Sequence, residues 1–190
     1  NNIFLGELAG INTVPSGLAP HTGRNNIFLG DSAGNRNTDG FLNVCIGYQS
    51  GMYMFSGNNN VSIGAFAAND NPGSYNVSIG RNAGLWNEMD GNTMIGAFTG
   101  HGVTAVTGNA CLGFRAGNEL TTGDFNTFLG YQSGNNNLSG SNNSAVGFLS
   151  QFGSIGLTNA TVIGSRASVN ASNAIVLGSI NEINGATASV

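Results

Sequence analysis

Apolar and polar positions along this chain follow one short phrase, N-x-x-[ILV]-G, that recurs throughout. It reads NIFLG at 2–6 and 26–30, NVCIG at 43–47, NVSIG at 60–64 and 76–80, and NTMIG at 92–96. NACLG (109–113), NTFLG (126–130) and NSAVG (143–147) follow, then two variants, ATVIG (160–164) and AIVLG (174–178), whose asparagines stand one place earlier, at Asn159 and Asn173. The closing glycines are spaced 24, 17, 17, 16, 16, 17, 17, 17, 17 and 14 residues apart. A fixed short period marks a repeat architecture. Three residues past each bend glycine stands a small residue such as Ala33, Ser50 or Ala116, often followed by a second glycine. A turn glycine (Gly40, Gly57, Gly73, Gly91, Gly108, Gly123, Gly140) precedes the next phrase. Glycine recurs too often for helix, and β-branched and aromatic residues gather in the phrase itself. Each unit predicts a short strand, a bend, a small-residue segment, a second bend and a turn: one coil of an all-β, parallel β-solenoid of about eleven 14–17-residue coils. Ten steps at the ~4.8 Å strand spacing give a rod about 50 Å long.

Alternation within the strand assigns two faces. The aliphatic before each glycine (Leu5, Leu29, Ile46, Ile63, Ile79, Ile95, Leu112, Leu129, Val146, Ile163, Leu177) reads as a core column. The intervening residues (Phe4, Phe28, Cys45, Ser62, Ser78, Met94, Cys111, Phe128, Ala145, Val162, Val176) read as a half-apolar, half-covered opposite face, with Phe4 and Phe28 expected against a partner chain. Asn2, Asn26, Asn43, Asn60, Asn76, Asn92, Asn109, Asn126 and Asn143 read as a ladder of stacked, hydrogen-bonded amides; the functional alternative is a row of ligand-binding amides. Burying one Leu or Ile is worth roughly 1.5–3 kcal/mol, against roughly 1–2 kcal/mol of backbone entropy per ordered residue. One reliable aliphatic per coil is a thin return. Several copies sharing a core in a closed cyclic assembly would resolve this and cover the strand edges.

Composition narrows the function. Charged residues are 7% of the chain, with five arginines, no lysine and a net charge of −4, which disfavours nucleic acid or an anionic membrane as partner. No apolar run approaches the ~18 residues of a membrane span. The pattern is already under way at Asn1 with no leader before it, as in a stretch of a longer array. Cys45 and Cys111 share a slot four coils apart, roughly 19 Å at the strand spacing, too far for a disulfide. They read as small core or interface hydrophobes.

The repeats "NVSIGRNAG", "NTFLGYQSG" and "NVCIGYQSG", and the closing "NATVIGSRASVNASNAIVLGSINEINGA", resemble the head repeats of YadA-like trimeric autotransporter adhesins. They are still more similar to related repeats of bacterial and phage tail-fibre-like proteins, where such arrays often precede an intramolecular chaperone domain. The resemblance covers essentially the whole chain. It implies a left-handed parallel β-roll, a homotrimer around a common axis, and an extracellular place on a bacterial surface or a phage or injection-system fibre. YadA-type coils run nearer 14 residues, whereas most coils here run 16–17. The chain divides accordingly into a long-coil array at 1–158, with an insertion loop at 11–24, and shorter head-like coils with an exit segment at 159–190.

Candidate chemistry is sparse. His21 and His101 lie in loops without an acid or nucleophile at a characteristic spacing. The cysteines have no CxxC or histidine partners of a zinc site. "NDNPG" (69–73) and "NEMDGN" (87–92) lack the later acidic ligands of a calcium loop. The expectation is no catalytic residue, no metal and no cofactor. Recognition belongs to loops on the rigid scaffold, with Tyr53, Phe55, Trp86, His21 and His101 as candidate receptor contacts. Exposed aromatics suit sugars or protein receptors; the alternative is that they cap the roll or pack between chains. The regular Tyr48, Phe114, Tyr131 and Phe148 read as architectural. The function expected is a non-enzymatic structural and adhesive module of a trimeric fibre, presenting loops to a glycan or protein receptor, with no nucleic-acid partner and no membrane insertion. An ice-binding or carbohydrate-binding solenoid is the alternative, although the threonines (Thr93, Thr127, Thr161) are scattered. A carbohydrate-active enzyme would need clustered carboxylates, and nine acids are spread over the chain.

Overall fold

The computed structural model describes residues 1–13, 23–86, 89–102 and 105–178. Among these there is no helix. Eleven three-residue strands coincide with the repeated phrase: β1 Ile3–Leu5, β2 Ile27–Leu29, β3 Val44–Ile46, β4 Val61–Ile63, β5 Val77–Ile79, β6 Thr93–Ile95, β7 Ala110–Leu112, β8 Thr127–Leu129, β9 Ser144–Val146, β11 Thr161–Ile163 and β13 Ile175–Leu177. They form one parallel sheet in sequence order, paired residue for residue, as in Cys45 with Ser62 and Ile46 with Ile63. Two further short strands, β10 Gln151–Phe152 and β12 Ser168–Val169, pair in a second sheet where the small-residue segment straightens. The main sheet crosses residue 158 without interruption, from β9 to β11. Most of the insertion loop, at 14–22 with His21, and the exit segment from 179 lie outside the described residues.

The bend glycines hold φ between +125° and +136° from Gly6 to Gly164, a region essentially closed to other residues. Each also backs onto the glycine of the next coil. A Cβ built on Gly80 would stand 2.6 Å from the carbonyl carbon of Gly96. The glycine four residues later fills a different need: the Phe28 ring lies where a side chain at Gly34 would go, 2.5 Å from its Cβ position.

The interior corrects the facing expected from alternation. The middle residue of each strand points in: Phe28, Cys45, Ser62, Ser78, Met94, Cys111, Phe128, Ala145 and Val162 are all buried. Phe28 thus lies in the chain's own core, not against a partner, and Phe4 stacks on it at 5.0 Å in the first coil, 38% exposed. The column read as core faces outward. Leu5 (71%), Leu112 (46%), Leu129 (43%), Ile163 (43%) and Leu177 (55%) are exposed, and Leu29, Ile46, Ile63, Ile79, Ile95 and Val146 are half-buried. The reason is the width of the roll. A three-residue strand between two bends offers one inward side chain, and the two flanking it must point out.

Inside, large and small residues alternate so that each coil is filled once. Phe28 and Phe128 share their coils with the buried asparagines Asn37 and Asn137, whereas Cys45 and Cys111 share theirs with Met54 and Leu120. Small residues (Ala33, Ser50, Ala67, Ala83, Thr99, Ala116, Ser133, Ser150, Ala167) line the opposite wall, all buried. The apolar interior falls into two clusters, one around Phe28 and Met54 and one from Ala83 to Val169. Between them sit Ser62, Asn71 and Ser78, with the Ser78 hydroxyl and the Asn71 amide nitrogen lacking partners among the described residues.

Candidate functional site

Rigidity comes first, because any surface here is displayed by stacked coils. The asparagine column is buried from Asn26 to Asn143. Each amide reaches forward one coil and binds backbone at two points. Asn43 Oδ1 accepts from the Asn60 N–H at 3.0 Å, and its Nδ2 donates to the Gly57 carbonyl at 2.7 Å. Asn60 does the same to Asn76 N–H and Gly73 O (2.9 and 2.8 Å), and Asn92 to Asn109 N–H and Val106 O (2.9 and 2.7 Å). The expected amide-to-amide ladder gives way to amide-to-backbone straps that close the turn of the following coil; Asn126 to Asn109 Oδ1 at 3.0 Å is an added side-chain link. Backbone groups in a turn have no sheet partner, so they take the amide first. With Ala160 and Ala174 in this slot the strap ends at Asn143, which still accepts the Ala160 N–H at 2.9 Å. Asn159 and Asn173, one place earlier, bond each other on the outside at 2.9 Å.

A second set of straps runs the other way, at the residue two before each asparagine. Asn58 accepts from Phe41 N–H (2.9 Å), Ser74 from Asn58 N–H (3.1 Å), Asp90 from Ser74 N–H (2.7 Å) and Asp124 from Thr107 N–H (2.7 Å). The Asp/Asn/Ser/Thr bias of that slot was readable in the sequence and carried the signal.

Two outward features stand on this frame. The first is the sheet's outer surface. Paired columns run its length: the aliphatic column from Leu5 to Leu177, and beside it Ile3, Ile27, Val44, Val61 and Val77, continuing as Thr93, Ala110, Thr127, Ser144 and Thr161 to Ile175. Among the described residues no other element packs over it. The second is a ridge of rings just past the bend glycine. Phe114 stacks on Tyr131 (5.4 Å between centroids) and Tyr131 on Phe148 (5.3 Å). Where the first residue past the bend is alanine (Ala65, Ala97), the second is phenylalanine, so Phe66 meets Tyr48 (5.2 Å) and Phe98 meets Phe114 (6.0 Å). Tyr48, Phe114, Tyr131 and Phe148 are 39–47% exposed, and the last three meet face to face along the rod.

The ridge breaks at the Gly80 coil, whose two positions are Arg81 and Asn82. There Trp86 and His101 come together at 5.0 Å, and His101 meets Phe98 at 5.9 Å. The guanidinium groups of Arg81 and Arg115 stand 5.9 and 5.8 Å from the Phe98 ring centre. Partial burial, and then the charge of Arg115, hold His101 below its ordinary range. Of the other candidates, Tyr53 is half-buried under the Arg36 guanidinium (5.3 Å), and Phe55, 44% exposed, lines an open cleft of about 360 Å³ with Asn12, Arg36 and Thr38. The sequence candidates therefore separate into two groups, Tyr53 with Phe55 and Trp86 with His101.

Both cysteines are free and buried, away from either feature. Burial pushes the Cys111 thiol up to about 12 and raises Cys45 as well. Neither is expected to react with a thiol-specific disulfide reagent in the native protein at pH 8, and two thiols per chain should titrate after unfolding; fast native reaction contradicts the inward placement. Among the described residues no group of three or more His, Cys, Asp or Glu side chains is placed to hold a metal ion. No protein-family model, curated protein or solved structure matches the chain.

Proposed function

We propose that the chain is a non-enzymatic segment of a homotrimeric extracellular fibre, a bacterial adhesin or tail-fibre-like protein, whose shared core is the outer surface of the eleven-stranded sheet. One observation carries this reading: one column of that surface is aliphatic in every strand from β1 to β13, although the interior of the described coils is already lined by other buried side chains. A contiguous apolar face of this length is costly in water and is characteristic of an interface. Closed symmetry buries it without leaving a growing edge. The repeat's resemblance to trimeric adhesin heads supports three copies. On this reading the strict aliphatic column is selected by the partner chains, and the inward column is free to trade Phe for Cys or Ser within each coil. The face disfavours an ice-binding surface, since its threonines are interrupted by valines, isoleucines and alanine. No helix among the described residues is long and apolar enough to cross a membrane. The fibre would carry its rings and loops outward for a glycan or protein receptor.

The test is to charge the face without touching the interior. Ile79→Lys with Leu129→Lys is expected to reduce the particle to one-chain mass, because an unpaired charge buried in an apolar interface costs about 3–5 kcal/mol. Retention of the assembled mass would move the interface elsewhere.

A further inference from the structure

We propose that the Arg81–Phe98–Arg115 cluster, with Trp86 and His101 beside it, is a binding site for a carboxylate-bearing sugar. The inference rests on the preceding reading of the module as a receptor-presenting surface, and adds the class of ligand.

Charge distribution is the first argument. The chain has five cations in all and a net charge of −4, yet three of the five, Arg81, Arg115 and Arg166, fall in the two positions after a bend glycine. From the Gly80 coil to the Gly164 coil those positions contain no acid. The ridge is thus a positive line on an acidic protein, and its closest pairing of cations is at Phe98, which both Arg81 and Arg115 approach within 6 Å of the ring centre. A guanidinium against a ring keeps its N–H edges available, and those edges form the fork that takes a carboxylate bidentately.

Shape is the second argument. From Phe114 through Tyr131 to Phe148 the rings stack on one another and offer edges, whereas Tyr48–Phe66 and Phe98–Phe114 meet edge to face. At the Gly80 coil the stack is interrupted, and the chain's one tryptophan stands there, 45% exposed and edge-on to His101. A sugar ring presents C–H groups to such an indole and hydroxyls to the His101 ring nitrogens, while its carboxylate meets the arginines. A neutral sugar lacks the last contact, and a small anion without a ring lacks the first.

Because Trp86 is the only tryptophan, its emission reports this site alone. The experiment titrates the intact protein with 3′-sialyllactose, lactose and citrate, following Trp86 fluorescence. Sialyllactose is expected to change the emission saturably and to bind at least about ten-fold more tightly than either lactose or citrate, the worth of one charge-assisted pair. Arg81→Gln with Arg115→Gln should abolish that preference while leaving the assembled mass and circular dichroism unchanged. Equal binding of lactose makes the site a neutral-sugar or aromatic patch, equal binding of citrate makes it a general anion patch, and silence toward all three leaves no site; each overturns the proposal. Should the double variant fail to fold, quenching in the native protein decides: with each ion's constant divided by its value for free N-acetyltryptophanamide, iodide is expected to exceed caesium at Trp86, and the reverse order removes the positive field on which the proposal stands. A one-chain mass with sialyllactose binding intact would sink the trimer and spare the sugar site, so the two failures are distinguishable.

Discussion

Gly80→Ala, like the same change at the other bend glycines, is expected to be strongly destabilising, costing about 2–6 kcal/mol. Two contributions add. A non-glycine residue forced into a sparsely populated backbone region costs about 1–3 kcal/mol, and an inserted methyl in a packed site about 1–3 kcal/mol more. Gly80 has φ +128°, and its new Cβ would lie 2.6 and 2.7 Å from the Gly96 carbonyl carbon and oxygen. The obstacle is backbone that is itself hydrogen-bonded into the stack, so it has nowhere to move. Gly91→Ala is the matched control: φ is +73° and nothing lies within 4 Å of the Cβ position, so the cost should fall to the about 1–2 kcal/mol of a left-handed residue. Chemical denaturation followed by circular dichroism measures both. Equal effects would mean that the stacking of bend glycines adds nothing to the conformational requirement.

Asn43→Ala should cost about 2–6 kcal/mol, from about 1–3 kcal/mol for each of two groups left without partners. Those groups are the Asn60 N–H and the Gly57 carbonyl, bonded by the buried Asn43 amide at 3.0 and 2.7 Å. Asn43→Asp discriminates a strap from a packing role. A carboxylate can still accept from Asn60 N–H, but its other oxygen would face the Gly57 carbonyl in a buried site. At pH 7 Asn43→Asp should therefore be at least as unstable as the alanine variant. Protonation restores a donor, so the Asp carboxyl must have a raised pKa in the folded state; its stability should rise as pH falls through that raised value and be lost again as pH climbs. A pH-independent Asp variant would contradict the two-point strap.

These residues also show what the sequence made legible. Period, strand position, bend glycines and the asparagine slot were all readable, because each is a covalent or backbone requirement repeated in every coil. Which side of the strand faces inward was not. Alternation places Leu129 and Phe128 on opposite faces without saying which face is the interior, and the more uniform column looks like the core. In a roll this narrow the uniform column is the outward one. The inward column varies because its sizes are matched within a coil, Phe28 against Gly34 and Asn37, Cys45 against Met54. The aromatic ridge was half legible: Tyr48, Phe114, Tyr131 and Phe148 follow the glycine in plain view. The substitution of Phe66 and Phe98 one place later required the left-handed backbone at that second position (φ 59° and 58°) to be seen. The meeting of Trp86 with His101 was not legible, since they belong to adjacent coils whose loops differ in length.

The central claim is that the outward aliphatic face is covered by further copies of the same chain. The direct measurement is the native mass, by light scattering across a dilution series. The account predicts a particle of three times the 19.3 kDa chain mass that persists on dilution; a monodisperse 19.3 kDa monomer with the folded β spectrum would contradict it.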